Sequence, residues 1–186
     1  MMFVSIAIGT AVAIAMIVVV SILTGGHVTT DRNTNTNTPN NQPSSALDGT
    51  TVKAFSLGGL KSGVVHAPWH SGHAAVLIFF ASWCGPCKTE MPKVAAYLSS
   101  HSVGSVEVVG VDANDQRGAA QNFVKRSGVT FPVAFDPNSD VTGGIFQFAT
   151  LPETVFVSVK GIVKQVYFGA IPTKQLVKGI AALRAA

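Results

Sequence analysis

The sequence predicts an α/β domain built on a mixed sheet that is covered on both faces, preceded by an apolar N-terminal segment. Three observations carry this reading. From Ala74 onward, strand-like and helix-like segments alternate as strand–helix–strand–helix before a hairpin and a closing helix. Ala74 to Phe80 (AAVLIFF) is an unbroken apolar run of strand length, as a central strand buried on both faces requires. Near the end, Lys160-Gly161 separates two apolar-rich runs as a two-residue hairpin turn would.

In chain order, Lys53 to Leu57 and Gly63 to His66 read as two short strands of a hairpin. The buried strand at Ala74 to Phe80 follows. Pro86 to Ser99 reads as a helix because Met91, Val94, Ala95 and Leu98 fall on one stripe. Val106 to Val111 (VEVVGV) is a second buried strand, and Gln116 to Ser127 a second helix stopped by Gly128. Val133 to Phe135 is a short extended piece, followed by a short helix near Val141 to Phe148. Thr154 to Val159 and Ile162 to Phe168 form the hairpin. Thr173 to Arg184 closes the domain as a helix, with Pro172 near its first turn.

The chain has 186 residues, room for one ordinary domain and too little for two. Its first 30 residues carry no Asp, Glu, Lys or Arg, and 19 of the first 24 are apolar. As a helix, 24 residues span roughly 36 Å, enough for a bilayer core of about 30 Å. The run is too long for a signal peptide and ends in bulky Val18-Val19-Val20-Ser21-Ile22-Leu23 without an A-x-A site, so residues 1–24 are expected to stay as a transmembrane anchor. Residues 25–49 are rich in Thr, Asn, Ser and Pro. They bury too little apolar surface to offset their ordering entropy, and are expected to form a flexible linker. Residues 50–186 then form the folded domain. The net charge of +4 is spread over single basic residues, with Lys125-Arg126 the one adjacent pair, so no nucleic-acid footprint is expected. Two cysteines exclude a disulfide-dense scaffold and any four-thiolate metal site.

Those two cysteines stand in Trp83-Cys84-Gly85-Pro86-Cys87-Lys88, after a buried strand and at the opening of a helix. Residues three apart on a helix share a face at about 5–6 Å, close enough for a disulfide. Cys84 falls at the helix N-terminus, where free N–H groups and the macrodipole stabilise a thiolate and lower its pKa. Pro86 suits the first turn, where its missing N–H costs nothing. Cys87, one turn inside, should be more buried. The asymmetry assigns the roles: Cys84 attacks a disulfide and Cys87 resolves the mixed disulfide. Other readings of the pair are inert core cysteines, or half of a zinc or copper site completed by His66, His70 and His73 in HAPWHSGH.

FFASWCGPCKTEMP resembles the thioredoxin superfamily, and within it the membrane-anchored, extracytoplasmic TlpA/ResA/DsbE-like branch. The resemblance runs over about residues 50–186. It implies a thioredoxin-like three-layer α/β/α sandwich. It further implies that Pro92 kinks the active-site helix and that Glu90 lies near the cysteine pair and tunes its protonation. Leu151-Pro152-Glu153-Thr154 is similar to the family's loop, in which a cis-proline (here Pro152) packs on the disulfide and the preceding residue (Leu151) pairs with substrate backbone. The P-E-T-F flavour is similar to cytochrome c maturation members. Trp83, Gly85 and Pro86 would border the exposed Cys84 surface. One departure stands out: cytoplasmic thioredoxins carry a buried aspartate six residues before the first cysteine, and Ile78 occupies that place. Glu90 is then the best buried base, and burial should raise its pKa. The blander alternatives are a Glu90 paired with Lys93 or the helix dipole, and a Glu153 that is only a polar residue at a strand entry.

The resemblance implies a membrane-tethered monomer with its catalytic domain outside the cytoplasm. It would reduce disulfides in exported proteins such as apocytochrome c or copper-site proteins, with a membrane electron donor upstream. No cofactor or metal is implied, because the cysteine pair is the redox centre. The alternative is a copper-binding metallochaperone using the cysteines and nearby histidines. A peroxidase is disfavoured, since the Pro and Thr frame upstream of the peroxidatic cysteine is missing.

Overall fold

The computed structural model describes residues 44–185. The segment read as a transmembrane anchor and most of that read as linker lie outside the described residues. Among the described residues no helix is long and apolar enough to cross a membrane. The last linker residues are bound to the domain: Ser45 and Asp48 close a turn, Gly49 N–H donates to Val163 O at 2.8 Å, and Val166 N–H donates to Asp48 Oδ1 at 3.1 Å.

The elements in order are β1 (Ser56–Gly58), β2 (Val64–His66), a 3-10 turn (Pro68–Ser71), β3 (Ala75–Phe80), α1 (Gly85–Ser100), β4 (Glu107–Ala113), α2 (Arg117–Arg126), β5 (Val133–Asp136), β6 (Glu153–Val157), β7 (Val163–Phe168) and α3 (Thr173–Arg184). β1 and β2 form an antiparallel pair, and the other five strands form one sheet in the order β5-β4-β3-β6-β7. β3, β4 and β5 are parallel, while β6 is antiparallel to both β3 and β7. β3, which covers AVLIFF of the AAVLIFF run, is the central strand, and all six of its residues are buried.

Alternation along β3 divides the core. Val76, Ile78 and Phe80 pack with Cys87, Met91 and Val94 of α1, with Phe123 and Val124 of α2, and with Leu176, Ile180 and Leu183 of α3. Ala75, Leu77 and Phe79 pack with Val52, Phe55, Ala67, Val141 and Phe146. The sheet is therefore covered on both faces, but the expected three-layer α/β/α sandwich is corrected in one respect: all three α-helices share one face. The reason is topological. The crossovers β3-α1-β4 and β4-α2-β5 step the same way along the sheet, and right-handed crossovers then place both helices on the same side. The other face is covered by the β1–β2 region, the 3-10 turn and the segment between β5 and β6, with Trp69 edge-on to Phe55 and Phe146.

Two local expectations are also corrected. Residues 140–145 form consecutive turns rather than a helix, and 146–148 continue without regular structure. The carboxylate of Asp136 takes the N–H groups of Asp140, Val141 and Thr142, and Gly143 and Gly144 follow directly. The paired glycines weaken a helix at this place. The β6–β7 connection is a three-residue loop, Val159 to Gly161, and Ser158 pairs with Ile162. Gly161 sits at φ +73°, the left-handed position that such a loop reserves for glycine.

Candidate active site

β3 ends at Phe80, and four residues later the chain turns into α1. Cys84 is the N-cap, at φ −71° and ψ 114°, and its Sγ accepts a hydrogen bond from Cys87 N–H at 3.2 Å. The two sulfurs are joined as a disulfide, with Cα atoms 5.3 Å apart. Cys87 is fully buried, as its place inside the helix predicts. Cys84 is only 4% exposed, so in this oxidised form the residue expected to attack is largely covered. The exposed part of the motif is Trp83, at 57%, together with Gly85 and Pro86. Pro86 lies in the first turn, and Pro92 stands inside α1.

The loop before Cys84 is held from the far end of β4. Ser82 donates both its N–H and its hydroxyl to the carboxylate of Asp115, the latter at 3.0 Å. Trp83 Nε1–H donates to Asn114 O at 2.9 Å.

The Leu151–Pro152 peptide is cis. Glu153 pairs with Phe79 across the antiparallel β3–β6 ladder, so Leu151 and Pro152 fall beside the last residues before the cysteine loop. Leu151 packs on the same core cluster as Cys84 and Cys87. Glu153 is buried, and its Oε2 accepts Ala149 N–H at 3.1 Å, which anchors the approach to Pro152. Burial raises its carboxyl above the usual carboxylate range, and hydrogen bonds from Ala149 and Thr150 pull the other way.

Glu90 lies one turn beyond Cys87 and is 2% exposed. Its Oε1 accepts Ile171 N–H at 2.7 Å, while its Oε2 has no partner among the described residues. Burial pushes its carboxyl up to about 7 against the pull of the Ile171 bond. The partner is thus a backbone N–H from the segment ahead of α3, and not Lys93. Ile78 is fully buried between Gly110 of β4 and Thr154 of β6.

Sequence reasoning missed two buried acids, Asp136 at the end of β5 and Asp112. Asp112 near the end of β4 is fully buried, no N–H or hydroxyl among the described residues donates to its oxygens, and its side-chain neighbour is the carboxyl of Asp115. Burial, then the negative charge of Asp115 and a side-chain hydrogen bond with it, pushes its carboxyl up to about 8, and the Arg117 cation opposes this. The available signal for Asp112 was a lone aspartate inside the apolar strand VVGVDA.

The histidines do not join the cysteines. His66 Nδ1 is 2.7 Å from Ser56 Oγ, His73 is 3.8 Å from Glu107, and His70 is exposed. Among the described residues no group of three or more His, Cys, Asp or Glu could hold a metal ion, so the donor set of a metallochaperone is not assembled there.

Comparison with known proteins gives one family match, to the AhpC/TSA family over residues 49–166. Thiol-disulfide oxidoreductase ResA of Bacillus subtilis is 31% identical over 129 residues, which is 69% of this chain and 66% of ResA. The ResA of Oceanobacillus iheyensis is 30% identical over 105 residues, 56% of this chain and 54% of that protein. The chain thus spans between about half and two thirds of the length of these relatives. Among solved structures, MTB dsbF in its mixed oxidized and reduced forms superposes with a TM-score of 0.61 at 32% identity, over 69% of this chain and 94% of that one.

Proposed function

The chain belongs to the AhpC/TSA family, and from that premise, with its thioredoxin-like fold, we propose that it is a thiol–disulfide oxidoreductase working through Cys84 and Cys87. The observation that carries this is the N-cap geometry. Cys87 N–H points at Cys84 Sγ at the positive end of α1, and the two sulfurs reach each other without rearrangement. The names of the ResA relatives support the same reading.

In the reducing direction, the Cys84 thiolate attacks one sulfur of a substrate disulfide. A mixed disulfide forms and the other substrate sulfur leaves as a thiolate. Cys87 then loses its proton and attacks Cys84 Sγ, which releases the second substrate thiolate. Two electrons pass to the substrate, and the chain ends as the Cys84–Cys87 disulfide. Glu90 titrates near neutral pH, at about 7, and lies one turn from Cys87, a fitting place for a group that exchanges protons with it. Trp83, Gly85 and Pro86 offer the exposed contact surface, and Leu151, next to Pro152, offers backbone for an extended substrate segment.

The domain acts as a tethered monomer on the extracytoplasmic side, with residues 1–24 in the membrane. Its substrates are exported proteins with oxidised cysteine pairs, such as apocytochrome c or copper-site proteins. A membrane thiol donor returns it to the dithiol, because no soluble reductant pool exists there.

Insulin reduction with the full chain tests the activity, with hydrogen peroxide as the alternative oxidant. Cys84→Ser should abolish exchange, and Cys87→Ser should trap mixed disulfides on a non-reducing gel. Peroxide turnover without insulin reduction, or no trapped species, would overturn the reading. A reduction potential near that of a strong oxidant, about −120 mV, would reverse the direction.

A further inference from the structure

We propose that Asp115 is a positioning residue for Cys84, and that the buried Asp112 behind it sets how firmly the loop is held. The proposal rests on the redox reading only in making Cys84 the nucleophile. Between β3 and the N-cap the chain is fastened to one corner, Asn114–Gln116. Asp115 Oδ1 accepts Ser82 Oγ–H at 3.0 Å and Gln116 N–H at 2.7 Å, and Asp115 Oδ2 accepts Ser82 N–H. Asn114 O accepts Trp83 Nε1–H. The corner is itself fixed. Asn114 adopts φ +48° and donates its N–H to Asp136 O at 3.0 Å, and Gln116 is the N-cap of α2. Both residues preceding Cys84 are therefore located by β4 and α2 as well as by their own strand.

Asp112 sits three residues before Asp115, paired with Phe80 on β3 and with Phe135 on β5. Three charged groups face it: Asp115, Arg117 and Asp136. Arg117 is already committed to Gly59 O and Leu60 O, both at 3.0 Å, and to the Phe135 ring at 4.2 Å. Asp136 is saturated by the turn that follows it. A buried carboxyl beside Asp115 is accommodated when it is neutral and can donate its proton to that carboxylate, and Asp115 then carries the local negative charge and holds Ser82. Once Asp112 ionises, two like charges share a site of low dielectric. The mobile partner is Asp115, because only its bonds to Ser82 can be given up without unmaking the sheet.

Two measurements on the full chain in detergent test this. In the oxidised, 5-fluorotryptophan-labelled protein, the 19F resonance of Trp83 should move with a midpoint near pH 8, close to where Asp112 titrates. Asp112→Asn should abolish that movement, with Trp69→Phe used to assign the signals. A Trp83 resonance that stays still from pH 6 to 10, or that moves equally in Asp112→Asn, overturns the coupling. In the reduced protein, the pH profile of Cys84 alkylation separates positioning from simple charge. If Asp115 positions Cys84, Asp115→Asn raises the midpoint, because the sulfur drifts from the N-cap; Ser82→Ala should do the same, and the two should not add. If Asp115 acts only as a nearby negative charge, Asp115→Asn lowers the midpoint, and a lowered or unchanged midpoint rejects the positioning role. The 19F titration involves no turnover, so it can fail while insulin reduction succeeds, and the reverse.

Discussion

The carboxylate of Glu90 accepts a 2.7 Å hydrogen bond from Ile171 N–H, 81 residues away, and so links the cysteine-bearing helix α1 to the segment that opens α3. Its second oxygen is buried without a partner among the described residues. One oxygen is stabilised as a carboxylate and the other is penalised, and the penalty wins, which leaves the group close to half-protonated at neutral pH. An acid in that state, one turn from Cys87, can give or take a proton without a large free-energy cost.

Glu90→Gln tests this directly. Glutamine keeps an oxygen for Ile171 N–H, so α1 and α3 stay linked, and only the titratable proton is lost. The pH profile of disulfide exchange should lose an inflection near pH 7. A profile identical to that of the parent would leave Glu90 a purely structural link between the helices.

Stability should fall as pH rises from about 4 to 8. Glu90 moves from an ordinary 4.5 to about 7 on folding, and Asp112 from 3.8 to about 8. Glu153 is raised as well. In each case the folded chain keeps a proton that the unfolded chain has released, so the contribution is present at low pH and is lost as pH climbs through the folded value. Each such proton sets a slope of at most about 1.4 kcal/mol per pH unit. Guanidinium midpoints of the oxidised chain at pH 5, 6.5 and 8 should decline, and Asp112→Asn should flatten the decline. A midpoint that rises over this range would contradict the assignments.

Much of the site was legible because it depends on local rules. The spacing of Cys84 and Cys87, the strand before them and the helix after them need only helix periodicity and N-terminal electrostatics. The burial of Glu90 was anticipated, but its partner, Ile171, was not, since no local pattern joins residues 81 positions apart. Asp112 was hidden for the opposite reason. Its strand was recognised as buried, but nothing in VVGVDA reveals that the carboxyl would face a second carboxyl, that of Asp115. The one-sided placement of the helices depends on the direction of two crossovers, which is a property of strand order and not of any single segment.

Asp136 organises the turn after β5 and gives a stability prediction. Its carboxylate accepts three N–H groups and the hydroxyl of Thr142, at 2.8–3.1 Å. Asp136→Ala strands these donors in a buried turn and should cost about 2–4 kcal/mol, on the scale of bonds to charged groups. Thermal unfolding should register the loss. A change below about 0.5 kcal/mol would mean that the turn finds other acceptors or water.

Gly179 gives the sharpest packing test. It lies inside α3, where alanine is intrinsically favoured by about 1 kcal/mol. A Cβ at this position, however, would overlap ring carbons of Phe156, which is 2% exposed in β6. The ring is held between the sheet and the helix, so α3 would have to lift away. Overpacking of this kind costs about 1–3 kcal/mol, and Gly179→Ala should therefore destabilise despite its better propensity. Gly118 in α2 is the control, because it is exposed and a Cβ there meets nothing within 4 Å. Gly118→Ala should stabilise by about 0.4–1 kcal/mol. Combining Gly179→Ala with Phe156→Leu makes room for the methyl, so the double variant should lose less than the sum of the singles. Equal gains from both alanines in thermal unfolding would show that α3 does not rest on Phe156 through its glycine.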